Sequence, residues 1–140
     1  VPKEKPQDEI KVNRDYDVPE LAGYSIDGQT IYVHREIQTY LALPSGKKMN
    51  IIMPVVVHEV VEKSIMDKLG FSYIPAHYMA FAAEHRYLKE RGHTPAELKL
   101  YDDYFLHLEK ELRTPARLTK LPPDLDTIPD RKAGHRCEHE

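Results

Sequence analysis

The stretch His58-Glu59-Val60-Val61-Glu62 constrains this chain more than any other, because it places ionisable residues inside an apolar run. Upstream lies Ile51-Ile52-Met53-Pro54-Val55-Val56-Val57, and downstream lie Val60, Val61, Ile65, Met66 and Leu69. A helix that is apolar on most sides is expected to be largely buried. Buried ionisable groups are costly unless paired, neutralised or bound to a metal. On a helix, His58 and Glu62 stand one turn apart on one face. At that spacing a neutral imidazole and a carboxylate can share one divalent cation, or form an ordinary hydrogen-bonded pair. Glu59 lies next to them, where a metal-dependent hydrolysis needs its general base.

At 140 residues the chain is expected to form one domain. Its eleven prolines and six glycines cluster outside the central segment, so the ordered core should be smaller than the whole chain. Residues 1–14 are charged and read as an extended arm, with a short strand near Ile10 to Val12. Residues 15–114 carry the core signals, and 115–140, with Pro115, Pro122, Pro123 and Pro129, read as an extended tail. The net charge of −3 gives no electrostatic case for nucleic acid or anionic membranes. The apolar run from Ile51 to Val57 is too short to span a bilayer, so no membrane span is expected. A single cysteine, Cys137, rules out an internal disulfide and fits a reducing compartment.

Gly23-Tyr24-Ser25-Ile26 and Thr30-Ile31-Tyr32-Val33-His34 flank Asp27-Gly28, a strong hairpin signal because both turn residues tolerate positive φ. Ile31 and Val33 should share one face, with Tyr32 and a solvated His34 on the other. Pro44 to Lys48 reads as a loop. A first helix is expected from Asn50 or Pro54 to Leu69, stopped by Gly70. A second begins near Pro75 and stops at Gly92, with Ala76, Ala80 and Ala83 forming a small-residue stripe. Thr94-Pro95-Ala96-Glu97 opens a third with a capping box. Leu98, Tyr101, Phe105, Leu108 and Leu112 form its apolar stripe. The expected fold class is α+β: a β-hairpin or small sheet packed on about three helices.

His77 and Glu84 lie two turns apart on one face of the second helix. If the first two helices pack antiparallel, either can approach His58 and Glu62. His77 would complete a His/Glu/His site, and Glu84 one His with two carboxylates. Three protein ligands plus water is the pattern of catalytic zinc. The hairpin edge could then align a peptide by strand addition.

This layout, over residues 22–91, resembles zincin-like metallopeptidases. In those a β-hairpin precedes a helix bearing His-Glu-x-x-His, and a second helix supplies a third ligand. It is also similar to short bacterial and phage-borne proteins with Ala-Gly-Tyr-Ser, Asp-Gly and His-Glu-x-x-Glu. The resemblance implies His58 as first ligand and Glu59 as base. Glu62 stands where zincins carry a second His, a departure that fits either a degenerate, non-catalytic relative or a site that prefers a harder metal such as manganese.

Ordinary roles compete with each of these. Glu59 and Lys63 are spaced for a surface salt bridge. His77 suits a core histidine near a helix start, and Glu84 suits a partner such as Lys63, Arg86 or a tyrosine. His135 to His139 alternates metal-binding types but reads as a solvated tail. No Gly-rich phosphate loop or nucleophile elbow occurs, and Asp102 and Asp103 diverge on their helix.

The leading expectation is a metal-binding, zincin-like protein that hydrolyses peptide or protein partners with metal-activated water. Zinc or manganese would be held by His58, Glu62 and His77, with Glu59 as base. The alternative is a non-catalytic structural subunit of a larger assembly, phage assemblies included, docking through its arms. The expected location is cytoplasmic, or the virion if phage-encoded.

Overall fold

The computed structural model describes residues 10–127. The fold is α+β: five short strands in two small sheets, and three helices. The first sheet has strand order β1-β3-β2, from β1 (Lys11–Asn13), β2 (Ala22–Tyr24) and β3 (Thr30–Val33). The second pairs β4 (Tyr40–Ala42) with β5 (Lys48–Asn50). Then follow α1 (Ile52–Leu69), α2 (Tyr73–Glu90), α3 (Pro95–Leu112) and a 3-10 turn at Pro115–Arg117.

The hairpin forms at Asp27-Gly28, with Tyr24 opposite Ile31 and Ala22 opposite Val33. Asp27 Oδ1 accepts from the Gln29 amide and the Ser25 hydroxyl, and Gly28 takes φ 75°. A Cβ at Gly28 would fall 2.6 Å from Cε of Lys63, so the turn lies directly on α1. The strand expected near Ile10 to Val12 is β1, which pairs parallel with β3. β4 and β5 flank residues 43–47, so the expected Pro44–Lys48 loop ends one residue inside β5, where Lys48 pairs with Ala42. Both strands, Tyr-Leu-Ala and Lys-Met-Asn, are three residues long, too short for a readable alternation.

Asn50 Oδ1 accepts from the Ile52 and Met53 amides at 2.9 and 3.1 Å, giving α1 its start. Gly70 ends it in the left-handed region. α2 begins at Tyr73, two residues before Pro75, which sits in the first turn, where no amide donor is needed. Thr94 and Glu97 make the reciprocal capping box of α3. Ala76 and Ala80 are fully buried, which lets α1 and α2 approach closely. Ile31, Val33, Met49, Ile51, Val55, Leu88 and Tyr101 belong to one core spanning sheet and helices.

His34 is not solvated: it is 0% exposed. The strand alternation holds, but the second face of the sheet is covered as well. The chain from 115 to 127, expected as part of an extended tail, runs back over it. Tyr32 donates to Asp124 at 2.6 Å, and Asp17 donates its amide to the Lys120 carbonyl. Asp17, 1% exposed, accepts from Arg35 Nε at 2.7 Å and from the Thr119 and Lys120 amides at 2.8 and 2.9 Å. Burial raises its pKa, but these donors outweigh it and bring the value down to about 2. His34 Nδ1 accepts from the Glu36 amide, which leaves Nε2 facing Asp17 Oδ1 at 3.7 Å, and burial pushes the imidazole pKa down. Residues 1–9 of the expected arm, and the tail from 128 with His135 to His139, lie outside the described residues.

Candidate metal centre

α1 and α2 form an antiparallel pair, because the short link from Gly70 to Ser72 turns the chain back on itself. The pairing sets His58 opposite Glu84 and Glu62 opposite His77. All four are buried, as is Glu59. Three donor atoms converge. His58 Nε2 lies 3.3 Å from Glu62 Oε2 and 3.3 Å from His77 Nδ1, and His77 Nδ1 lies 3.0 Å from Glu62 Oε2. Metal–ligand bonds of about 2.0–2.2 Å at tetrahedral angles place neighbouring ligand atoms roughly 3.3–3.5 Å apart. The triangle is thus within a few tenths of an ångström of one face of such a tetrahedron. His58, Glu62 and His77 form a buried group able to hold a metal ion.

Both expected third ligands reach His58, from opposite sides. His77 joins the triangle. Glu84 Oε1 instead meets His58 Nδ1 at 2.7 Å, on the far side of the ring. A carboxylate there holds the Nδ1 proton and turns Nε2 towards the triangle, the placement that outer carboxylates give metal-binding histidines. Glu84 is held in turn by Tyr101 of α3, whose hydroxyl donates to Oε2. Tyr73 stands 3.3 Å from His77 Nδ1. Tyr101 was legible only as part of an apolar stripe, and Tyr73 lies before the expected helix start.

The charges reinforce one another. Burial alone would lower the His58 pKa, but hydrogen bonds to Glu62 and Glu84 raise it well above the usual value. Burial raises Glu62, yet His58 and His77 bring it down to about 2. Burial and Glu84 push the Tyr101 phenol well up, so it stays a donor. The cluster is therefore a buried ion-paired network.

Glu59 is no surface residue. Lys63, its expected partner, pairs with Asp67 at 3.0 Å and lies over the ring of Tyr24. Glu59 and His58 both border a groove of about 360 Å³ between α1, α2 and α3, walled by Val55, Phe81, Phe105 and Leu106. They also border a smaller cleft under β2 and residues 125–126. Both cavities therefore adjoin the cluster. Among the described residues no helix is long and apolar enough to cross a membrane. The chain matches no family model, no curated protein and no solved structure.

Proposed function

We propose that this protein binds one divalent cation, zinc or manganese, through His58 Nε2, Glu62 and His77 Nδ1, and hydrolyses peptide bonds in the manner of a zincin-like peptidase. The observation that carries this reading is the buried triangle of donor atoms with 3.0–3.3 Å edges. Three protein ligands leave a fourth position, the arrangement of catalytic rather than structural zinc. A cation held there would supply Lewis acidity and an activated water. Glu62 as the carboxylate ligand gives a His/His/carboxylate donor set, which suits zinc and also harder cations.

The chain's own residues have separable roles in this reading. Glu84 and Tyr101 orient His58. Glu59 borders the groove and the cleft, and is the group to accept a proton from water. The apolar groove walls exclude solvent and receive a substrate side chain. The edge of β2 aligns the peptide backbone by strand addition.

The test separates metal from chemistry. Metal-loaded wild-type protein should cleave unstructured peptides, and Glu59→Gln should keep fold and metal while losing cleavage. A Glu59→Gln variant as active as wild type would refute the assigned base. A wild-type chain that binds metal yet cleaves no member of a varied peptide library would refute the peptidase reading and leave a metal-binding protein.

A further inference from the structure

The outer edge of β2 is where a peptide would add to the first sheet. β3 occupies its other side. In the structure part of that edge is already taken. Ser25 and Leu125 form an antiparallel bridge just beyond β2. The Ile26 amide donates to the Asp124 carbonyl at 2.9 Å, and the Asp126 amide donates to the Tyr24 carbonyl at 2.8 Å. The contact is one bridge long and joins residues about a hundred positions apart.

Two features make it resemble a seated ligand. Leu125 lies across Gly23: a Cβ there would fall 2.9 Å from Leu125 Cδ1 and 3.8 Å from Val18, so the absent side chain leaves a seat for an aliphatic group. One residue earlier, the Asp124 carboxylate accepts from the Tyr32 hydroxyl at 2.6 Å. The backbone is thus read by the strand edge, and two side chains are read by Gly23 and Tyr32. Leu125 and Asp126 also border the cleft that reaches His58, Glu59 and Glu62.

We propose that this edge is a docking site for an extended peptide carrying a carboxylate side chain followed by an aliphatic one. Asp124-Leu125-Asp126 is its resident occupant in the isolated chain. A partner peptide binds by exchanging with this segment, and the segment competes for the edge as a tethered ligand. A tether of this kind acts at an effective concentration of the order of millimolar, so peptide supplied from outside binds the wild-type chain weakly. The inference rests on the reading of the β2 edge as a peptide-aligning edge, but docking itself requires no metal.

The probe is a fluorescein-labelled peptide copying residues 121–127, titrated by anisotropy with a chelator present. The full-length double variant Leu125→Gly/Asp126→Pro loses the aliphatic group and the amide that donates to Tyr24. It should bind the probe at least tenfold more tightly than wild type. Replacing the leucine of the probe with serine, or adding Gly23→Val to the double variant, should abolish the gain. A folded double variant that binds no more tightly than wild type, or that binds the serine probe equally well, overturns the proposal. Wild-type protein gives a second reading that needs no variant: saturating probe should shift the Ile26 and Asp126 amide resonances, and unchanged resonances overturn it. Zinc uptake is measured apart. Intact peptide docking without zinc uptake would contradict the metal-centre reading alone, and zinc uptake without docking would contradict this inference and the β2-edge alignment while leaving the metal centre standing.

Discussion

Asp17→Asn is a sharp test of what holds residues 118–127 against the sheet. Asp17 is 1% exposed, and its carboxylate accepts from Arg35 Nε and Nη2, from the Thr119 amide and hydroxyl, and from the Lys120 amide. Its pKa is about 2 in the fold, against 3.8 ordinarily. At 1.36 kcal/mol per unit, that depression corresponds to a stabilisation on the order of 2 kcal/mol. Asparagine keeps the shape but points an N–H at groups that are themselves donors, and an unsatisfied buried donor adds about 1–3 kcal/mol. The expected loss is about 3–5 kcal/mol at pH 7. At roughly 3–4 °C per kcal/mol for a chain of this size, the midpoint should fall by about 9–20 °C. The pH dependence has a defined sign. Because the folded pKa is depressed, the unfolded state binds the extra proton, so the carboxylate's contribution is complete above about pH 5 and lost as pH falls towards 2. His34, whose pKa burial pushes down, and Arg35 are the charged or titratable side chains that face Asp17 most closely. Thermal melts followed by circular dichroism at pH 7, 5, 4 and 3 should show the gap between wild type and variant narrowing below pH 5. Equal midpoints at pH 7, or a gap that is unchanged at pH 3, would refute the reasoning.

Other substitutions probe separate links. Glu84→Gln should keep the fold but weaken zinc binding by about 10–100-fold, read by calorimetric titration, because the carboxylate that orients His58 is gone; unchanged affinity would remove Glu84 from that role. Ala80→Leu forces a large side chain into the fully buried contact between α1 and α2 and should cost about 1–3 kcal/mol in urea denaturation. Thr94→Ala removes the hydroxyl that accepts from the Glu97 amide and should lower stability by about 0.5–2 kcal/mol, with metal binding unaffected.

Local chemistry made much of this architecture legible. Asp27-Gly28, Gly70 and the Thr94–Glu97 box each act within a few residues, and each turn, stop or cap forms where the sequence places it. The convergence of His58, Glu62 and His77 was legible too, because an apolar helix carrying ionisable groups must bring partners to them. The rest of the long-range packing was not legible. Tyr101 gives no signal beyond its place in an apolar stripe, yet its hydroxyl decides how Glu84 sits. His34 looked solvated because strand alternation reports which face a residue takes, not whether that face is later covered. The covering segment, residues 118–127, is proline-rich and lacks periodicity. It is held by a buried carboxylate and backbone hydrogen bonds, neither of which leaves a sequence pattern.

The most direct test of the metal centre is the zinc content of the purified chain after equilibrium dialysis against buffered zinc, measured by elemental analysis together with His58→Ala and His77→Ala. The account predicts close to one zinc per wild-type chain, a higher melting temperature when zinc is present, and loss of both in each variant. A wild-type chain that retains no zinc or manganese, and whose melting temperature does not move when either is added, would contradict it.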